Sequence, residues 1–145
     1  MSKTEIIRFN IRVYGILIQN DQLLLSTETL DGFKFTKFPG GGLEFGEGMH
    51  DCLKREFNEE LDVDINVLGH IYTTDFFQQS AFRKTDQVVS VYFRVEPLRP
   101  IQIKPLQITP THNIDFFWFP LSQFGPELLT FPIDKRVAEI IPTIV

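Results

Sequence analysis

The stretch Pro39 to Ile65, PGGGLEFGEGMHDCLKREFNEELDVDI, limits what this chain can fold into more than any other. A proline and three consecutive glycines break the regular structure before them. Met49, Cys52, Leu53, Phe57 and Leu61 then recur at spacings of three and four, which predicts an amphipathic helix over Met49–Leu61. At about 100° per residue, Glu56, Glu59 and Glu60 share an arc of about 100° on that helix, and Phe57 and Leu61 hold the neighbouring arc. The helix therefore has an apolar edge that anchors it and an acidic edge that faces something else. Like charges at these spacings repel, by roughly a few tenths of a kcal/mol per pair in water, and by more in a drier site.

Acidic helix faces are usually just solvated surface. Here the glycines add a second consideration. Gly40, Gly41 and Gly42 let the backbone approach an ion or a phosphate closely. They sit shortly before a helix start, where amide N–H groups favour anions. Hard carboxylate oxygens suit Mg²⁺ or Mn²⁺, whereas His50 and Cys52 make no convincing zinc set. Arg55 stands four residues before Glu59 and can pair with it. Other glycine-loop chemistries do not fit. No Gly-Lys-Ser/Thr ending makes a P-loop, Gly46 and Gly48 lack the third glycine of a dinucleotide fingerprint, and DVDINV lacks calcium-loop spacing.

Around this stretch the chain alternates strand and turn signals. Phe9–Ile18 and Leu23–Leu25 read as strands joined by a tight turn at Asn20-Asp21. Phe33–Phe38 reads as a third strand. Val63–Phe77 is strand-like with an interruption near Gly69, and Gln78–Asp86 is a polar loop. Val88–Val95 is a strong strand with Val89, Val91, Phe93 and Val95 on one face. Pro97–Asn113 holds four prolines and reads as a long surface loop, a kind that is often functional. Phe116–Phe119 is a short strand, Leu121–Phe124 a helical turn, and Ile133–Ile141 a terminal helix with Ile133, Val137, Ile140 and Ile141 on one face. Strands, a helix, strands and a helix make an α+β domain with a mixed sheet. At 145 residues the expectation is one domain, residues 1–145.

The net charge of −5 argues against a partner that is a nucleic acid, which would call for a basic patch. It leaves room for a phosphate-bearing small molecule whose charge a metal ion offsets. One cysteine, Cys52, permits no intrachain disulfide. No apolar run is long enough for a signal peptide or a membrane span. The expectation is a cytoplasmic protein without a membrane partner.

Gly41, five residues, Glu47, seven residues, Arg55-Glu56-Phe57, one residue, Glu59-Glu60, one residue and Asp62-Val63 together resemble the Nudix box, the signature of the Nudix hydrolase family. A chance match to its six key residues is on the order of 10⁻⁸ per starting position. Asp62 stands where the pattern has glycine and Phe57 where it has an aliphatic residue. The first substitution touches the helix cap and the second touches packing; neither removes a carboxylate.

The resemblance implies a Nudix-like α/β/α sandwich with a mixed sheet, the box helix and a C-terminal helix. It implies Mg²⁺-dependent (or Mn²⁺-dependent) hydrolysis of a pyrophosphate bond in a nucleoside diphosphate linked to another group, of nucleotide-sugar, ADP-ribose or nucleoside triphosphate type. By that analogy Glu56, Glu59, Glu60 and the Gly40 or Gly41 carbonyl hold metal, Glu59 holds metal or activates water, and Arg55 and Glu47 orient the glutamates. An acidic or basic residue after the box, His112 or Asp115, stays open as a further member of the site. Substrate-binding candidates outside the box are Phe35 (with Phe33), Phe77 within Phe76–Phe82, and Arg83 beside Lys84. The implied partner is a small-molecule nucleotide, and a homodimer is left open. The alternatives are a non-catalytic nucleotide-binding or regulatory module on the same fold, and an isomerase of allylic diphosphates, for which Cys52 is poorly placed.

Overall fold

The computed structural model describes residues 4–103, 107–108 and 112–145. Its strands are β1 (Arg8–Gln19), β2 (Gln22–Leu30), β3 (Phe33–Lys37), β4 (Gly40–Gly42), β5 (Ile65–Thr73), β6 (Asp86–Pro97), β7 (Gln107–Ile108) and β8 (His112–Pro120). Two α-helices, α1 (Met49–Leu61) and α2 (Pro132–Ile140), complete it with short 3₁₀ turns, one at Leu121–Gln123.

β1 runs parallel to β6, in register from Arg8 opposite Asp86 to Leu17 opposite Val95. β5 adds to β6 antiparallel, with register shifts at Val67/Gly69 and His70/Tyr72, where the sequence predicts an interruption. β2 pairs with β3 on one side and β8 on the other. The β1–β2 hairpin joins the two groups of strands. Its turn residues Asn20 and Asp21 both have positive φ, 52° and 58°, the backbone that a two-residue hairpin needs and that Asn and Asp tolerate.

Core packs on both faces of the strands. Cys52, Leu53, Phe57 and Leu61 of α1 meet Val13, Leu17, Val91, Phe93 and Val95. Ile133, Val137 and Ala138 of α2 meet Tyr14, Ile16, Leu25, Phe38 and Tyr92. β6 is thus covered on both sides, and only a near-continuous apolar run suits that environment. Helices on either side of a mixed sheet are the expected sandwich.

Three boundaries differ from expectation. The second strand runs to Leu30, not Leu25, because Ser26 to Thr29 are held by neighbours on both edges. Cross-strand pairing overrides their polar character. The glycine triplet is not a break but a short strand paired with β1, Gly41 opposite Val13. Backbones meet so closely there that a Cβ on Gly40 would lie 2.1 Å from the Val13 carbonyl oxygen. The expected loop over Pro97–Asn113 contains β7 and the start of β8; Pro105 and Pro110 within it lie outside the described residues. Asp62 does end α1 in the left-handed region, at φ 51° and ψ 43°.

Candidate active site

β4 and α1 meet most closely where Gly41 faces Glu56. A Cβ on Gly41 would stand 2.3 Å from Oε1 of Glu56. Only a glycine leaves the Glu56 carboxylate room to lie against the β4 backbone. Arg55 then ties the box together. Its Nε and Nη2 donate to the two oxygens of Glu47 at 3.0 and 2.9 Å, a forked ion pair of the geometrically specific kind. Nη2 also donates to the Gly42 carbonyl at 3.1 Å, and Nη1 to Glu56 at 3.1 Å and Glu59 at 3.4 Å. The Arg55 hydrogen bond, and then the Glu44 backbone N–H, hold the Glu47 carboxyl down at about 2.

Glu60 stands beside Glu56 and feels the charge of Lys37 on β3. Burial pushes its carboxyl up to about 7; Lys37 opposes that rise, while Glu56 and Glu28 reinforce it. Among the described residues, no three acidic, His or Cys side chains are grouped as they would be around a metal ion. Arg55, hydrogen-bonded to both, offsets the mutual repulsion of Glu56 and Glu59.

Beside this cluster a cavity of about 550 Å³ opens between β1, β2, β3, β6, the 78–83 loop, His112 and the start of α2. Alternation along the strands decides what faces it. β1 contributes Asn10, Arg12 and Tyr14, and β6 contributes Val88, Ser90 and Tyr92. These residues are paired across the parallel ladder. Arg12 Nε donates to the Tyr14 hydroxyl at 2.6 Å. Tyr14, and then Glu56 and Glu28, keep Arg12 charged against burial. Lys37 is 4% exposed. Burial works against its charge, but Glu28, Tyr14 and Glu60 together raise its pKa. Its Nζ lies 3.4 Å from Glu28 Oε1, and His112 Nε2 lies 3.6 Å from Glu28 Oε2. On the far wall Phe35, Phe82 and Phe131 form a ring cluster with centroids 5.3 to 5.8 Å apart.

The structure brings Gly41, Glu47, Arg55, Glu56 and Glu59 together, with Glu60 beside Glu56 and within reach of the charge of Lys37. Phe35 and Arg83 line the cavity. Phe77 does not; it is 60% exposed and lies outside the lining, whereas Phe82, five residues on, lines the cavity. Between the two open candidates after the box, His112 lines the cavity and Asp115 is exposed on β8. Cys52 is fully buried; burial pushes its thiol up to about 12, so it offers no nucleophile.

Arg12, Glu28, Lys37, Tyr92 and Asp134 escape a reading of the sequence. For Lys37 a signal exists, since FKFTKF alternates and puts Lys37 on the face of Phe35 just before the glycines. Nothing marks Glu28, whose partners come from β3 and β8.

A NUDIX domain model matches residues 9–143. Solved structures share the fold. The solution structure of the E. coli ORF135 protein is similar at a TM-score of 0.73 and 16% identity, covering 95% of this chain and 91% of that one. The MutT protein from Methanosarcina mazei Go1 gives 0.70 at 17% identity, covering 99% and 98%. An ADP-ribose pyrophosphatase from Streptococcus suis 89-1591 gives 0.60 at 16% identity, covering 92% and 87%. With every charged residue of its box retained beside a ring-walled cavity, the chain belongs to the NUDIX domain family.

Proposed function

We propose that this chain hydrolyses the diphosphate bond of a nucleoside diphosphate joined to another group, with Mg²⁺ or Mn²⁺ as its metal. The observation that carries this reading is the Glu47–Arg55–Glu56 lock standing against a cavity with charged residues at one end and phenylalanines at the other. Glu56, Glu59, Glu60 and the Gly41 carbonyl are the groups that would hold the metal. They fit that task, since the Glu56 carboxylate occupies space that any side chain on residue 41 would fill, and the donors are hard oxygens. When bound, such an ion supplies positive charge to the diphosphate oxygens.

Arg55 and Glu47 position Glu56: the fork to Glu47 holds the guanidinium that donates to the Glu56 carboxylate. Glu59, more than half exposed, is reachable by water and takes the proton of the attacking molecule. The water oxygen bonds to one phosphorus, the bond from that phosphorus to the bridging oxygen breaks, and the second phosphate leaves with the bridging oxygen. Phe82, exposed on the cavity wall and backed by the buried Phe35, offers a ring face to the nucleoside, and Arg83 a charge to a phosphate at the rim. The ADP-ribose pyrophosphatase among the similar folds supports a sugar-linked diphosphate as the type of substrate.

The same reading takes residues 1–145 as one domain in the cytoplasm. No helix of the described residues is long and apolar enough to cross a membrane. The exposed Ile7 and Phe9 at the start of β1 support a homodimer.

A panel of nucleoside diphosphate sugars, dinucleotides and nucleoside triphosphates, read by phosphate release with Mg²⁺, tests the proposal. We expect turnover that falls at least about 100-fold in Glu59→Gln and Glu60→Gln, with circular dichroism unchanged. Tight nucleotide binding without metal-dependent turnover across the panel would instead make the chain a binding module.

A further inference from the structure

A gradient of chemistry runs along one face of β2 and β3. From the glycine end outward the paired positions are Ser26 with Lys37, Glu28 with Phe35, and Leu30 with Phe33. Successive pairs on one face lie about 7 Å apart. The Lys37 end leads through Phe38 and Pro39 into β4, where Gly41 lies against the box carboxylate of Glu56. The outer end is a ring cluster, where Phe33, Phe35, Phe82 and Phe131 have centroids 5.3 to 6.4 Å apart.

Glu28 stands between these ends. Its side chain is 8% exposed, with one oxygen 3.4 Å from Lys37 Nζ and the other 3.6 Å from His112 Nε2. All three residues line the cavity. A carboxylate has about four lone-pair positions and donates nothing when ionised. Two partners leave it acceptor capacity towards the cavity. A fully ionised phosphate has no proton to donate to that carboxylate and so cannot use the capacity. Its neighbour in the ligand must be neutral and must donate hydrogen bonds. The group that lies one strand step from a diphosphate, one step from a flat ring, and carries donors side by side is a sugar with adjacent hydroxyls.

We propose that Glu28, gripped by Lys37 and His112, is a specificity-determining residue that accepts hydrogen bonds from a vicinal diol on the sugar adjoining the diphosphate. This rests on the pyrophosphohydrolase reading of the site. The diol has two sources, the ribose of the nucleoside or the sugar on the other side of the diphosphate.

The test uses the four common ribonucleoside diphosphates, their 2′-deoxy counterparts, and UDP-glucose against UDP, with binding measured by calorimetry and hydrolysis by kcat/KM. If the ribose is read, the ribo forms bind about ten- to a hundred-fold tighter than the deoxy forms, and that ratio collapses towards one in Glu28→Gln. If the other sugar is read, the UDP-glucose to UDP ratio is the one that collapses. Because Glu28→Gln leaves the buried Lys37 without its carboxylate, folding is checked by thermal melting. Should that variant fail to fold, Glu28→Gln/Lys37→Gln, which removes both buried charges, carries the same comparison. Turnover of the nucleotides with neither ratio altered by the substitution overturns the role of Glu28 alone. Neither binding nor turnover of any of them overturns the pyrophosphohydrolase reading as well.

Discussion

Gly41 shows how little separates folding from chemistry at a single residue. Its φ is not among the positive values, so an alanine is compatible with the backbone. The atom that an alanine Cβ would strike is Glu56 Oε1, at 2.3 Å, the far end of a flexible side chain. The carboxylate can swing aside at small cost to the fold. It cannot swing aside and keep its place against β4. A misplacement of about 1 Å near reacting groups costs about 100-fold in rate. Gly41→Ala is therefore expected to melt within a few degrees of the wild type while losing about 100-fold in kcat, measured by calorimetry and by phosphate release. Gly40 differs, because a Cβ there meets backbone at 2.1 Å and φ is +148°; alanine at that position damages the fold itself.

At the scale of elements, α2 is attached to the sheet through a polar contact within an apolar interface. Asp134, 3% exposed, accepts a hydrogen bond from the Tyr92 hydroxyl of β6. Burial pushes the Asp134 carboxyl up to about 6 from 3.8, with Tyr92, Lys37 and Arg12 pulling the other way. The folded protein thus holds this proton more tightly than the unfolded chain does. The stabilisation is complete below pH about 4 and is lost as pH rises through about 6, on the order of 3 kcal/mol in all. Glu60, pushed up to about 7, has the same sign over a higher window. Glu47, held at about 2, has the opposite sign in more acidic solution. Denaturant unfolding between pH 4 and 7 should show stability falling with pH, and Asp134→Asn should flatten that fall relative to the wild type. In Tyr92→Phe the buried carboxyl loses its donor, at an expected cost of about 1–3 kcal/mol, read as a shift in the urea midpoint. The helices carrying these contacts were legible as 3.6-residue periodicity. The extent of β2 was not, because Ser26 to Thr29 are strand only by virtue of β3 and β8 on either side.

For the molecule as a whole, β4 and α1 build the site together, and neither does so alone. A ligand that requires the Gly41–Glu56 contact binds the native state and not the unfolded chain, so its binding free energy adds to stability. Millimolar Mg²⁺ is expected to raise the melting temperature by a few degrees, about 2–4 °C per kcal/mol for a chain of this size. EDTA should reverse the shift, and Glu56→Gln should reduce it; scanning calorimetry checks all three. An unchanged melting temperature from micromolar to millimolar Mg²⁺ would count against these glutamates as ligands.

The glycine run, the spacing of Glu47, Arg55, Glu56, Glu59 and Glu60, and the apolar edge of α1 are local patterns, and a helical repeat of 3.6 residues places them without reference to the rest of the chain. They determined the family, the box helix and the residues of the box. The buried charges of Glu28 and Lys37, the half-buried Arg12, the place of Phe82 on the cavity wall and the inward place of His112 come from how strands and loops pack against one another. A charge is stable in the interior only where its partner is brought to it, and the β2–β3 and β2–β8 registers, not any run of residues, bring Lys37 and His112 to Glu28.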